Sequence, residues 1–158
     1  MGLEEAQVYF DKFKMKDRII VLDESSATVP LAAQALGTQE ERIAKSLAFN
    51  VKGEPIMIIV AGDAKIDNRK FKDNFFAKAV MLTPEEVEKY TTHEVGGVCP
   101  FGDFNEEMRI YLDESLKRFK TVFPATGGSN TAIELTIPEL EKYSNFNDWI
   151  DVCKAWQE

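Results

Sequence analysis

The sequence predicts a single domain of mixed α/β (α+β) class, on three observations. Two neighbouring apolar runs, residues 42–51 and 55–61, have the length and residue types of strands and are joined by Lys52-Gly53-Glu54, a glycine-bearing connection of hairpin length. Other stretches carry helix-end signals. The 158 residues contain no internal repeat, low-complexity tract or linker, and such a length buries one core without disulfides or metals.

Element by element, residues 2–15 space Leu3, Ala6, Phe10 and Phe13 as a helix does. Residues 18–22 are short and β-branched, ending at Asp-Glu-Ser-Ser, which predicts a strand. Residues 28–37 open with a capping Thr28 and an early Pro30 and close on Gly37, so both ends of a helix are marked. Residues 38–41 have capping-box spacing for a brief helical turn ahead of the strand pair 42–51 and 55–61. Because both strands are rich in apolar residues, they are expected at the centre of their sheet. A basic helix is expected over 66–78, a strand over 80–82 and a helix from Thr83-Pro84, with Glu86 completing a capping box. Residues 95–102 are too glycine-rich for regular structure and are expected to form a loop. Strands follow near 109–112, 120–123 and 132–136. Thr136-Ile-Pro-Glu139 caps a short helix, and Asn147-Asp148 opens a last one carrying Trp149, Ile150, Val152, Cys153 and Trp156.

With 44% hydrophobic and 29% charged residues, the chain has globular composition. Its charged, amphipathic N-terminus does not resemble a secretory signal, and Ala6 stands where a myristoylation signal carries Ser or Thr. No apolar run reaches membrane-spanning length, so no membrane partner is expected. Two cysteines, Cys99 and Cys153, fit reduced thiols in a cytoplasm. The net charge of −8 opposes extensive phosphate contact. Basic residues nevertheless cluster at 12–18, 65–78 and 117–120, as one binding face or as plain solvated charge.

One histidine, His93, and two distant cysteines leave no transition-metal pattern, and no cofactor is expected. Asp63-Ala-Lys-Ile-Asp67 begins like a calcium loop but places Lys65 at a ligand position. Gly127-Gly-Ser-Asn-Thr131 approaches a nucleophile elbow, with Thr131 replacing the final glycine. Ser129 with His93, or Cys99 with His93, would make a Ser or Cys hydrolase, and each lacks a visible third member. Lys45 is more informative. A lysine amid Ile, Ala, Leu and Phe must point outward or reach a cleft where a negative group compensates it. Glycine loops let backbone N–H groups approach a carbonyl or phosphate.

Four segments in order, Arg42-Ile-Ala-Lys-Ser-Leu47, Ala61-Gly-Asp-Ala-Lys-Ile-Asp67, Val95-Gly-Gly-Val-Cys-Pro-Phe-Gly102 and Phe123-Pro-Ala-Thr-Gly-Gly-Ser-Asn-Thr-Ala-Ile-Glu-Leu135, resemble the YbaK/ProX family of aminoacyl-tRNA editing domains, related to the insertion domain of bacterial prolyl-tRNA synthetases. The resemblance implies a curved, barrel-like mixed sheet surrounded by helices, and hydrolysis of the ester joining a wrong amino acid to the tRNA 3′ end. Lys45 matches the family's functional lysine, and Gly127, Gly128 and Ser129 its late glycine loop, with Asn130 and Thr131 beside them. Gly97, Val98, Cys99, Pro100, Phe101 and Gly102 match its middle loop, and Asp63 lies in a matching motif. The implied mechanism has Lys45 anchor the terminal phosphate or ribose while late-loop N–H groups hold the ester carbonyl for attack by water, alone or positioned by a substrate hydroxyl. The expected partners are a tRNA acceptor end carrying an amino acid, Cys-tRNA(Pro) or Ala-tRNA(Pro), and a prolyl-tRNA synthetase acting alongside. The chain departs from some relatives in its neutral Ser129-Asn130-Thr131 and in lacking a later histidine. A noncatalytic module that binds an aminoacyl group or a protein is the alternative of another class.

Overall fold

The computed structural model describes residues 2–26, 28–91, 93, 97–102 and 108–156. Its centre is the hairpin β2 (Ile43–Val51) and β3 (Glu54–Ala61), turned by Lys52 and Gly53, whose positive φ values of 52° and 87° suit a two-residue hairpin turn. β6 (Arg109–Asp113) lies parallel to β3, and β10 (Asp148–Ile150) lies parallel to β6. On the far side of β2, β7 (Thr121–Pro124) runs parallel to it and β5 (Val80–Met81) antiparallel. β7 then folds back onto β8 (Thr131–Ile133) and β9 (Leu135–Thr136). The pairs Thr121 with Thr136, Val122 with Leu135 and Ala125 with Ala132 keep one register, so this is a second hairpin with the late glycine loop at its tip. β1 (Ile19–Val21) closes against β8, and β4 (Lys65–Ile66) pairs with β11 (Cys153–Lys154). The result is the expected mixed α/β architecture, a sheet curled into a half-barrel with helices around it.

Residues 55–61 of β3 are all buried, as a central strand covered on both faces requires. The helices are α1 (Gly2–Asp11), α2 (Val29–Leu36), α3 (Asn68–Phe75), α4 (Pro84–Thr91) and α5 (Ile137–Tyr143). Phe10 of α1 stacks 4.7 Å from Phe101, and Phe71 of α3 lies 5.0 Å from Phe49 of β2. The predicted ends of α2 form: the Leu31 N–H donates to Thr28 Oγ1, and Gly37 adopts the left-handed conformation at φ 68°. Capping boxes close at Thr83/Glu86 and Thr136/Glu139.

Three expectations require correction. Residues 38–41 form no capping box; the helical turn is Glu40–Arg42, preceded by Gln39 without a side-chain cap. The basic helix is shorter than 66–78, because Asp67 caps it through the Arg69 and Lys70 N–H groups and Phe76 ends it at φ 57°. The last helix does not exist. Its residues form β10 and β11 because tertiary partners claim their backbone: β6 pairs with Asp148–Ile150, buried Asp113 accepts the Val152 N–H at 2.9 Å, and β4 pairs with Cys153–Lys154. Propensity and spacing yield to such pairing.

Candidate active site

β2 has two unlike edges. Along one, every residue from Ala44 to Val51 is in register with β3. Along the other, Ile43 and Ala44 pair with Phe123 and Pro124 of β7, and pairing resumes only where Phe49 and Asn50 meet Met81 and Val80 of β5. Where β7 and β5 diverge, a cavity of about 430 Å³ opens. It is lined by six consecutive residues, 43 to 48, from both faces of β2, as expected of a cavity against a strand's edge. Val29, Ala32 and Leu36 of α2 form one wall, and Leu82, Pro84 and Val87 another. Phe123, Ala125, Thr131 and Ala132 of the β7–β8 hairpin, with Val98, Ser26, Thr28 and Met81, complete the lining.

Lys45 is partly buried on this strand, and its Nζ donates to the Gly62 carbonyl at 3.4 Å. Burial lowers its pKa from the ordinary lysine value, with nearby Asp63 opposing that shift and Lys65 adding to it. Gly62 brings the chain tightly past the Glu40–Arg42 turn, since a Cβ there would overlap the Glu40 carbonyl oxygen and lie 2.8 Å from Val29 Cγ1. Asp63 is held by Arg118 in a bidentate pair at 2.5 and 3.0 Å. It is therefore a neighbour of Lys45 whose own carboxylate is engaged.

The two glycine loops meet. A Cβ on Gly97 would overlap the Gly127 carbonyl and lie 2.9 Å from the Gly128 nitrogen, so only glycine permits this contact. The tip of the late loop is clasped by the segment after β1: Leu22 N–H to the Asn130 carbonyl at 2.8 Å, Asn130 Nδ2 to the Leu22 carbonyl at 2.9 Å, and Ser26 N–H to the Ser129 carbonyl at 2.7 Å. The Gly128 N–H donates to Thr131 Oγ1 at 3.0 Å. The N–H groups of Ser129 and Asn130 have no acceptor among the described residues.

Of the predicted residues, Lys45, Val98 and Thr131 line the cavity. Gly97, Gly127 and Gly128 hold the loops together, and Ser129 is exposed at the tip. Cys99, Pro100, Phe101 and Gly102 are buried and absent from the cavity lining, with Phe101 packed among Phe10 and Tyr9. Residues 95 and 96 of the middle segment lie outside the described residues. His93 is fully buried, its Nε2 3.0 Å from the Phe101 carbonyl and 3.4 Å from Cys99 Sγ. Burial pushes the Cys99 thiol up to about 12 and lowers the pKa of His93. Cys99 is thus a buried thiol rather than an accessible thiolate, which weighs against the Cys hydrolase reading. The ring that would serve Ser129 is engaged inside the core. Among the described residues no group of His, Cys, Asp and Glu could hold a metal ion, and no helix is long and apolar enough to cross a membrane.

Four residues of the basic clusters are paired with carboxylates: Arg18 with Glu139, Lys70 with Asp151, Lys117 with Glu114 and Arg118 with Asp63. Sequence reasoning missed Ser46, whose hydroxyl is buried at the cavity strand without a hydrogen-bond partner among the described residues. The available signal was a lone small polar residue beside Lys45 in an apolar strand. It also missed the α2 and α4 walls, whose apolar residues read as ordinary core.

A curled sheet with a lysine-bearing strand beside two interlocked glycine loops defines the class, and residues 23–143 match the aminoacyl-tRNA editing domain. The chain belongs to that family. It is 49% identical over 158 residues to the uncharacterised protein YwhH of Bacillus subtilis (strain 168), covering 99% of this chain and 100% of YwhH. It is 37% identical over 90 residues to the proline–tRNA ligase of Geobacillus thermodenitrificans (strain NG80-2), a match covering 56% of this chain and 16% of the ligase. A crystal structure described as a candidate trans-editing enzyme for prolyl-tRNA synthetase superposes with a TM-score of 0.85 at 27% identity, covering 97% of each chain.

Proposed function

We propose that this editing domain acts as a freestanding deacylase that hydrolyses the ester of tRNA(Pro) wrongly charged with cysteine or alanine. The observation that carries the reading is the cavity of about 430 Å³ beside Lys45, which is mostly apolar and has room for a small aminoacyl group. Similarity to the ligase and to the candidate trans-editing structure supports prolyl-tRNA as the source of the substrate and a prolyl-tRNA synthetase as the partner.

In this reading the Lys45 ammonium holds the terminal phosphate or ribose of the tRNA. Water attacks the ester carbonyl, and negative charge develops on its oxygen. The Ser129 and Asn130 N–H groups are the late-loop donors not already engaged, and they take that charge. The tetrahedral intermediate then expels the ribose oxygen, which takes up the proton given up by the attacking water, leaving free amino acid and uncharged tRNA. One oxyanion donor is worth about 10²–10³ in rate, so positioning and donors together can serve without a protein nucleophile. A lysine needed as a cation also fixes the sign of the pH response. Because burial lowers its pKa, activity falls on the alkaline side earlier than an ordinary lysine would dictate.

The test is to incubate the protein with tRNA(Pro) charged separately with cysteine, alanine and proline, and to follow release of each amino acid beside Lys45→Ala. Release of cysteine or alanine but not proline, lost in the variant, is the expected result. Survival of all three esters would overturn the proposal and favour a noncatalytic binding module.

A further inference from the structure

Lys45 stands at one end of a network that reaches the C-terminal segment. Its Nζ donates to the Gly62 carbonyl at 3.4 Å, and the next residue in the chain is Asp63. Asp63 favours the charged form of Lys45 through space, yet both of its oxygens accept from Arg118, Oδ1 from Nη2 at 2.5 Å and Oδ2 from Nη1 at 3.0 Å. The two paired side chains are only 26% and 27% exposed, so neither charge is freely solvated. Arg118 is itself held by several contacts. Its Nε donates to the Ser115 carbonyl at 2.9 Å and its Nη1 also reaches the Trp156 carbonyl at 3.4 Å. Its Cζ lies 4.7 Å from the ring centre of Phe119 and 5.1 Å from that of Trp156. Ser115 in turn accepts the Ala61 N–H at 3.1 Å, one residue before Gly62, which ties the guanidinium to the backbone that receives the lysine. A planar fork held in this way fixes a carboxylate in one orientation.

Two cations are therefore near Asp63, and the fold gives it to one of them. We infer that Arg118 is a positioning residue for Lys45: by clamping the Asp63 carboxylate it keeps the cavity's ammonium out of an internal ion pair and available to a substrate phosphate. The inference rests on the editing reading above for what the ammonium binds. The other ionisable groups acting on Lys45 are Lys65 of β4 and Cys153 of β11. Lys65 is a like charge. Cys153 is a fully buried thiol whose pKa is pushed up by burial and by Asp113, to which it donates, so it stays neutral. Asp113 beyond it accepts the Ser115 and Val152 N–H groups, each at 2.9 Å. With Asp63 neutralised by Arg118, Lys45 has no ion-pair partner among the described residues.

The test follows the titration of Lys45 by ¹³C NMR in full-length protein labelled at lysine Cε, its signal assigned by loss in Lys45→Arg. Arg118→Met keeps an apolar stem beside Phe119 and Trp156 but releases Asp63. The expected result is a Lys45 midpoint raised by about one pH unit, as a new opposite charge in contact gives. Loss of the Arg118 charge alone would also raise it, so the deciding quantity is coupling. Asp63→Asn should lower the midpoint by about one pH unit in the Arg118→Met background and by much less in the parent. Equal effects in the two backgrounds overturn the clamp. So does a fall of about one pH unit in Asp63→Asn alone, a reading that needs no change at Arg118. On mischarged tRNA(Pro), Arg118→Met should raise KM about tenfold with kcat nearly kept, since one pH unit of pairing is one decade of competition. Adding Asp63→Asn should return KM to near that of the parent. A loss of kcat that Asp63→Asn does not rescue would make Arg118 merely structural and overturn the inference. A parent that releases no amino acid, with the titrations as expected, would leave the clamp standing and overturn the editing reading.

Discussion

The two edges of β2 differ within one strand: one is fully paired, and the other is interrupted at a cavity. On the β3 side, uninterrupted pairing and a fully buried partner strand fix the backbone. On the other side, pairing to β7 stops at Ala44 and pairing to β5 starts at Phe49, and the interval borders the cavity. Rigidity from the continuous edge holds the broken edge in place without requiring its own hydrogen bonds to be filled by the protein. A site built this way is preorganised at little conformational cost to a ligand.

Ser46 and Ile59 are opposite one another in the β2–β3 register and put this contrast to the test. Ile59→Ala, at a fully buried position of the continuous edge, should cost about 2–5 kcal/mol in a denaturant melt. A loss below that range would mean the continuous edge is not the stabilising one. Gly62→Ala comes next, at about 1–3 kcal/mol, since a backbone carbonyl has to move for the new methyl group. It should also displace Lys45, whose ammonium bonds the Gly62 carbonyl, so turnover and melting temperature should fall together.

Glu139→Gln, remote from both edges, should cost no more than about 1 kcal/mol, because its pairing with Arg18 is largely exposed. The Arg18 hydrogen bond holds the Glu139 carboxyl at about 2. A carboxyl depressed in the folded state stabilises above its unfolded value of about 4.3 and loses that contribution as pH falls toward about 2. Melts at pH 7 and pH 3 should therefore differ less in the variant than in the parent. Ser46→Ala should have the smallest effect, within about 0.5 kcal/mol of the parent or slightly more stable, because the lost hydroxyl has no partner to forfeit. A large destabilisation there would show that the broken edge carries structural load after all.

The capped helices and the central hairpin were legible because their signals are local: Thr28 and Gly37 at the ends of α2, and Lys52-Gly53 in a turn needing positive φ. The final strands were not, because the groups that hold residues 148–154 extended lie far away, on Asp113, β6 and β4. At the site, Lys45 stood out as a charge in an apolar strand. Gly97 and Gly127 could be recognised as loop glycines but not as partners, since their contact exists only after folding. Cys99 and Phe101 stood out as part of a glycine-rich motif, whereas their packing could not be read from it: Phe101 fills core space beside Phe10, and Cys99 is buried with His93. The cavity itself depends on where β5 and β7 stop pairing with β2, which no local pattern encodes.

The central claim is that the aminoacyl group occupies the gap in the edge of β2. Ala125 lines that gap from the opposing hairpin and is itself only partly buried, at the margin of the core, so Ala125→Phe places a ring in the gap. The decisive measurement is the rate at which this variant deacylates mischarged tRNA(Pro), taken with its melting temperature. The account predicts turnover reduced by at least about tenfold, equivalent to about 1.4 kcal/mol of transition-state stabilisation, in a protein that melts as the parent does. Undiminished turnover with the gap filled would contradict it and move the reaction elsewhere on the molecule.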